Sequence, residues 1–434
     1  MKPKHRNLLI GLLVLIVAVL ILFPQWVKEE ITTHKTLIRF WNGFTGPDGR
    51  TMVKMVKQFN AENHDVEVLM QRMDWSTYYN KLFIAGMGDR APHVFIIHTD
   101  ALERYVGAKF VRTIDDMIES SNGIDVNDLD ANVWKATERD GKHFALPLDI
   151  HLMGMYYNRK LFREAGIVDD RGNPRPPTNR EEFLDAAIKL TKDIDGDGKT
   201  DQWGFVFTNF IMNVYTVMNQ YGGTFFNEDY TESTINNQAN IDALQYCVDL
   251  IRKYKVAPSP EDVDSWIGFR QGKVGMVFHG IFMVADLDRQ KDLDYGAAPA
   301  PLLGIKPAVW AGSHNLCLRS NLTEKELDAS WRFIKFLSEN SLDWAEGGQV
   351  PIRKSLRDTD RFRGMTAQRE FAKQIPYAVY MPSVPFGFEF SGEFSLALER
   401  ALRGRTSPKE ALDVANKNIN KIIEHYEETY KDYR

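Results

Sequence analysis

Four aspartates punctuate the stretch DIDGDGKTDQWGF: Asp193, Asp195, Asp197 and Asp201. They fall at positions one, three, five and nine of an EF-hand calcium loop, with Gly198 at six and the Lys199 carbonyl at seven. A hard cation takes oxygen ligands at such a spacing because alternate residues of a tight loop turn inward. Position twelve is Gly204, where a sensor loop carries a bidentate glutamate. The next residues, WGFVFTNF, read as a strand rather than a second helix. Two readings stand: a structural calcium site, or a solvated acidic turn without metal. The pattern argues against a calcium sensor, because there is no second helix to swing. For covalent or phosphoryl chemistry the chain offers no G-x-S-x-G, H-E-x-x-H, Walker loop or G-x-G-x-x-G. A carboxylate pair gathered from Asp74, Asp100, Asp149 and Glu389 would suit a secreted carbohydrate-active enzyme, which stays open as a rival.

Such residues need elements to position them. LIRFWN reads as a strand, TMVKMVKQFNAE as a helix, VEVLM as a strand, STYYNKLFIAGM as a helix and HVFIIH as a strand. That βαβαβ order implies parallel strands with covering helices, and ligands of such sheets bind at one strand edge. Capping boxes open three further helices, at Thr178/Glu181, Thr323/Glu326 and Ser407/Glu410. The last carries an apolar stripe through Leu412, Ala415, Ile419, Ile422 and Tyr426.

The length of 434 residues suits two or three domains, and 44% hydrophobic with 26% charged residues is a globular balance. A net charge of -5 gives no reason to expect nucleic acid. The two cysteines, Cys247 and Cys317, form no disulfide framework or metal spacing. Two buried free thiols or a single disulfide are both compatible with them. At the N-terminus Lys2, Lys4 and Arg6 precede the apolar run Leu8 to Phe23. A basic start before an apolar run is an export signal. No small-x-small cleavage site comes after it, which favours an uncleaved anchor over a cleaved signal, and no cysteine stands there to carry a lipid. Either way the remainder lies on the periplasmic or extracellular face.

RFWNGFTGPDGRTMVKMVKQFNAEN resembles the opening of an extracellular solute-binding protein of the sugar-binding family, the maltose-binding-protein-like receptors of ABC importers. HFALPLDIHLMGMYYNRKLFREAGI is similar to the stretch where such chains pass between lobes, and FRQGKVGMVFHGIFM, AGSHNLCL and GGQVPIRKS match later landmarks in order. The resemblance covers residues 36–434. It implies a two-lobe, type II periplasmic-binding-protein-like α/β fold, each lobe a mostly parallel sheet flanked by helices. After an export signal or anchor over 1–35, lobe 1 would take 36–148 with 314–355, and lobe 2 would take 150–310 with 358–434. The hinge would lie where the chain crosses, near 148–152, 309–315 and 352–360. The implied function is a monomeric receptor that closes on a carbohydrate and delivers it to ABC permease subunits. A sensor reporting to a signalling partner would share the fold.

A sugar has apolar C–H faces and a rim of hydroxyls, so its receptor needs aromatic platforms and planar polar groups. Aromatics make up 12% of the chain. At the ends of the first two strands this points to Asn42, Phe44, Thr45, Asp74 and Trp75, and at the hinge to Asp149 and His151. The resemblance adds Asp100 beyond the third strand, and in the second lobe Phe207, Asn209, His279, Gly280 and Phe282. It also adds Trp310, Ser313 and His314, while PFGFEF offers Phe388 and Glu389. No organic cofactor is expected; the metal expectation is one calcium held by Asp193, Asp195, Asp197, Lys199 and Asp201.

Overall fold

The computed structural model describes residues 35–207, 210–260 and 264–430. The apolar run read as a signal or anchor lies outside the described residues. No described helix is long and apolar enough to cross a membrane.

Two sheets organise the chain. The first has five strands in the order 66–72, 36–42, 94–98, 314–318, 146–147. Its first three strands are parallel, as the βαβαβ reading requires, with Thr36 opposite Val66 and Phe40 opposite Val94. In Thr36–Asn42 the buried Ile38 and Phe40 alternate with the exposed Leu37 and Arg39, the mark of a strand covered on one face. Val94–Ile97 are buried without alternation because that strand is covered on both faces. Helix Pro47–Glu62 buries Met52, Met55, Val56 and Phe59, spaced three and four apart. Helix Glu324–Glu339 brings Phe333 edge-on to Phe40 at 5.2 Å and to Phe59 at 5.1 Å.

The second sheet is threaded by one long strand, Asp149–Asn158, all ten residues of which are buried. It pairs with Val274–Gly280, Tyr295–Ala298, Val309–Gly312 and Val350–Pro351, all antiparallel. Trp203–Phe207 and Ala378–Tyr380 extend the sheet as parallel strands. Helices Phe210–Gln220, Gln238–Arg252, Gly387–Leu402 and Pro408–Tyr430 pack around it.

Leu148 alone separates the first sheet's strand 146–147 from the long strand, and Ser313 alone separates 309–312 from 314–318. Both crossings therefore occur within a single residue, side by side: Gly312 pairs with His151, and Asn315 with Pro147.

Two capping boxes form as read, at Thr323/Glu326 and Ser407/Glu410. The third shifts by one residue. Asn179 is the N-cap of helix Arg180–Leu190, and Glu182, not Glu181, reaches back to Thr178. Asn ranks above Thr as an N-cap residue, and the Asn179 side chain accepts from the Glu182 amide. Cys247 and Cys317 are free, buried thiols in different lobes, and burial pushes both well above the ordinary thiol range.

Candidate functional site

A cavity of about 470 Å³ opens between the lobes, directly above the two crossings. That volume lies within the usual range for small-molecule sites, about 300–1,000 Å³. Six aromatics line it: Trp75, Tyr79, Phe282, Trp310, Tyr380 and Phe388. The polar lining comprises Thr45, Asp48, His98, Thr99, Asp100, His151, His314 and Gln349, and no Lys or Arg is among the described lining residues.

Each group is placed by its element. Trp75 opens helix Trp75–Met87, so its half-buried ring lies where the second strand's loop meets the cleft. Gly43 makes room for it: a Cβ there would stand 2.1 Å from the indole. The ring lies nearly parallel to His314 at 5.8 Å and meets Phe44 edge-on at 5.6 Å. Tyr79, one helical turn on, stacks beside Trp75, and its hydroxyl bonds His98 Nδ1 and accepts from the His98 amide.

Under the cavity lies Asp149, fully buried. It accepts from Trp344 Nε1 at 2.5 Å, from His314 Nδ1 at 2.7 Å and from His151 Nδ1 at 3.2 Å. Asp149 and His151 meet because residues two apart on a strand share a face. Burial opposes the Asp149 charge, but the His314 and His151 imidazoles outweigh it and hold the carboxyl far below its usual range. Burial, aided by the neighbouring rings, holds His98 and His151 below the usual histidine value, so both are neutral near pH 7. Burial likewise raises Asp48 against the pull of His314. Asp100 touches the cavity's solvent yet is walled in by protein, and that desolvation raises its carboxyl too.

Gln349 is fully buried on the cavity wall, and neither atom of its amide has a hydrogen-bond partner among the described residues. The Tyr380 hydroxyl is in the same position.

Of the residues expected at the ligand, the fold brings Thr45, Trp75, Asp100, His151, Phe282, Trp310, His314 and Phe388 to the cavity wall. Others stand behind or away from it. Asn42 is buried and accepts from the Phe44 amide, and Phe44 is a fully buried wedge between Trp75, His314 and Trp344. Asp74 is an exposed N-cap that accepts from the Thr77 amide. Asp149 sits beneath the histidines. Phe207 packs on Phe205 in the core of the second lobe. His279 lies against Trp266, its Nδ1 accepting from the Gly280 amide. A Cβ at Gly280 would collide with the Phe282 ring, so this glycine sets that ring's position. Ser313 is buried at the crossing with its hydroxyl on Asn315. Glu389 pairs with Arg104 at the cleft mouth, 3.2 Å away. Asn209 lies outside the described residues.

The sequence reading passed over Asp48, Tyr79, His98, Gln349 and Tyr380. His98 carried a signal, being the last residue of the HVFIIH strand at the edge where ligands bind. Gln349 carried none, since its role depends on a loop brought in from far along the chain.

The acidic loop is a separate feature. Asp193, Asp195 and Asp197 each offer a carboxylate oxygen within 4.8 Å of the others. Asp193 accepts from the Gly196 and Gly198 amides, and Asp201 from that of Ile194. The loop leads into a strand, as read, but that strand is Trp203–Phe207 and Phe210 already opens the next helix.

The profile of the bacterial extracellular solute-binding proteins matches residues 54–368. A maltotriose-binding protein of Pyrococcus abyssi is 20% identical over 92% of this chain and 83% of its own length. A periplasmic sn-glycerol-3-phosphate-binding protein of Escherichia coli K12 is 21% identical over 91% of this chain and 94% of its own. An ABC substrate-binding protein of Listeria monocytogenes, solved in complex with cycloalternan, superposes with a TM-score of 0.76 at 25% identity, covering 90% of this chain and 99% of that one. With two lobes, a cleft at their crossing and a family match over more than two thirds of its length, this chain belongs to the bacterial extracellular solute-binding protein family.

Proposed function

We propose that the protein is the extracytoplasmic receptor of an ABC importer. It holds a neutral sugar or oligosaccharide between its lobes and presents it, as a monomer, to permease subunits. The observation that carries this reading is the cavity wall: six aromatic rings around a buried Gln349 whose amide has no partner. Rings suit the apolar faces of a sugar, and an unpaired amide suits its hydroxyls. The complex of the Listeria protein with cycloalternan and the maltotriose-binding relative support the same class of ligand. A phosphorylated ligand, as the Escherichia coli relative's name specifies, would find no Lys or Arg on the described wall. In this reading the run Leu8–Phe23 exports the chain and, uncleaved, holds it near its permease, raising the effective concentration. The loop at Asp193, Asp195, Asp197, Lys199 and Asp201 holds one structural calcium; its oxygen-only donors fit a hard cation.

The test is a thermal-shift screen of the chelator-treated protein against mono- and oligosaccharides, then long incubation with any sugar that binds. A rise in Tm with one sugar, recovered unchanged, is expected, because a ligand of the folded state stabilises by mass action. Trp75→Ala should weaken binding of that sugar by about 1–3 kcal/mol, measured by calorimetry. Consumption of the sugar would move the protein to the carbohydrate-active enzymes, with Asp48 and Asp100 as the first carboxylates to replace.

A further inference from the structure

The cavity floor holds three imidazoles that a sugar site does not need. His98 and His314 lie directly opposite each other on neighbouring antiparallel strands, so their side chains share a face. His151 joins them from the crossing strand, and Gly312 leaves it room: a Cβ there would stand 2.3 Å from His151 Nε2. The ring centroids are 4.4 Å (151 to 314), 4.8 Å (98 to 314) and 5.6 Å (98 to 151) apart. One ligating nitrogen from each lies within 4.8 Å of the others.

We propose that His98, His151 and His314 form a three-histidine site for a divalent transition-metal ion, zinc by preference, on the floor of the ligand cavity.

The surroundings of the rings support it. The Nδ1 edge of every ring is already occupied: Asp149 takes two and the Tyr79 hydroxyl the third. That is the outer shell of a histidine metal site: the Asp149 carboxylate fixes the rings and tautomers of His151 and His314, and the Tyr79 hydroxyl orients the His98 ring. The ligating tautomer puts each proton on Nδ1, where Asp149 and Tyr79 Oη accept it, and leaves each Nε2 lone pair for the ion. The described wall carries Asp48 and Asp100 and no cationic side chain, which favours a cation over an anion. Imidazole donors select zinc, copper or nickel over calcium or magnesium.

A tetrahedral ion with Zn–N bonds of about 2.0–2.1 Å sets its nitrogens roughly 3.3 Å apart, so the rings close slightly on binding. Three protein ligands leave a fourth position, and here it faces the cavity. An oxygen of water or of the bound ligand completes it. The metal site stands without the sugar reading, since it is formed by the protein alone.

The test uses the full chain, purified in mild detergent without a histidine tag and stripped with EDTA. Zinc is titrated by calorimetry with no sugar present, and cobalt is titrated by visible absorption. One zinc per chain at micromolar affinity or better is expected, with the intense cobalt bands of a four-coordinate site. His98→Gln should weaken zinc at least about 100-fold. Asp195→Asn, in the acidic loop, should leave it unchanged. Absence of zinc binding below millimolar concentration in the native chain overturns the proposal. So does binding that survives His98→Gln and falls with Asp195→Asn. The cobalt spectrum of the native chain decides the matter even if His98→Gln fails to fold. The sugar screen in chelator is read separately, so failure of one reading is not failure of the other.

Discussion

Gln349 is a group that the empty protein would be more stable without. A buried amide with no partner loses its hydration and gains nothing in return, at a cost of about 1–3 kcal/mol. Replacing it with the similarly sized Leu should raise the Tm of the ligand-free protein while lowering sugar affinity. Differential scanning calorimetry and titration on one sample check both. A fall in Tm would mean that the amide is satisfied within the fold. His279 makes a second residue-scale prediction. Burial holds it at about 4, while the unfolded chain titrates near 6.5. Between those values the unfolded state binds the extra proton, so its contribution is intact above about 6.5 and is lost as pH falls toward 4. His279→Gln should therefore flatten the decline in Tm from pH 7 to 5; parallel curves for the two proteins would refute it. At this scale the sequence was legible in part. His314 came only from the family resemblance, whereas Trp75 announced itself by type and by position at a strand end. Asp74 did as well, yet helix capping claimed it, because a carboxylate one residue before a helix finds amides closer than any ligand.

Elements were easier to read than residues. The parallel core of the first lobe is set by alternation in one strand and its absence in another, which are local properties. The cap at Asn179 was misplaced by one residue because two adjacent side chains can cap and only geometry chooses between them. The acidic loop was legible because its ligands are contiguous. Its prediction is local too. Calcium should raise the Tm of the chelator-treated protein whether or not sugar is present, and Asp195→Asn should remove that rise. A calcium effect seen only with sugar would place the ion in the cleft instead. The cavity wall was less legible, because Gln349 and Tyr380 arrive on short segments that periodicity does not mark.

At the scale of the molecule, side chains bridge the two lobes across the cleft mouth. Arg104 pairs with Glu389 and lies over the Phe388 ring, and Arg139 donates to the Ser383 hydroxyl at 2.7 Å. The Arg104–Glu389 pair is partly exposed, so its contribution to folding is under about 1 kcal/mol. Its leverage is on opening. Glu389→Gln should speed sugar release several-fold at low salt, with little change in Tm, and added salt should erase the difference between the two proteins. Stopped-flow release measured at two ionic strengths checks this; equal rates at low salt would mean that the pair does not restrain the lobes. The single-residue crossings at Leu148 and Ser313 carry a further consequence. If the proposed receptor closes about them, they would be the axle of the movement, and an axle turns without travelling. The floor rooted in it, Asp149 with its three indole and imidazole donors, would then keep its shape while the aromatic walls swing. On that footing an arriving guest would meet a finished floor before any wall had closed, with the order of recognition, bottom first and sides second, set by where the chain crosses.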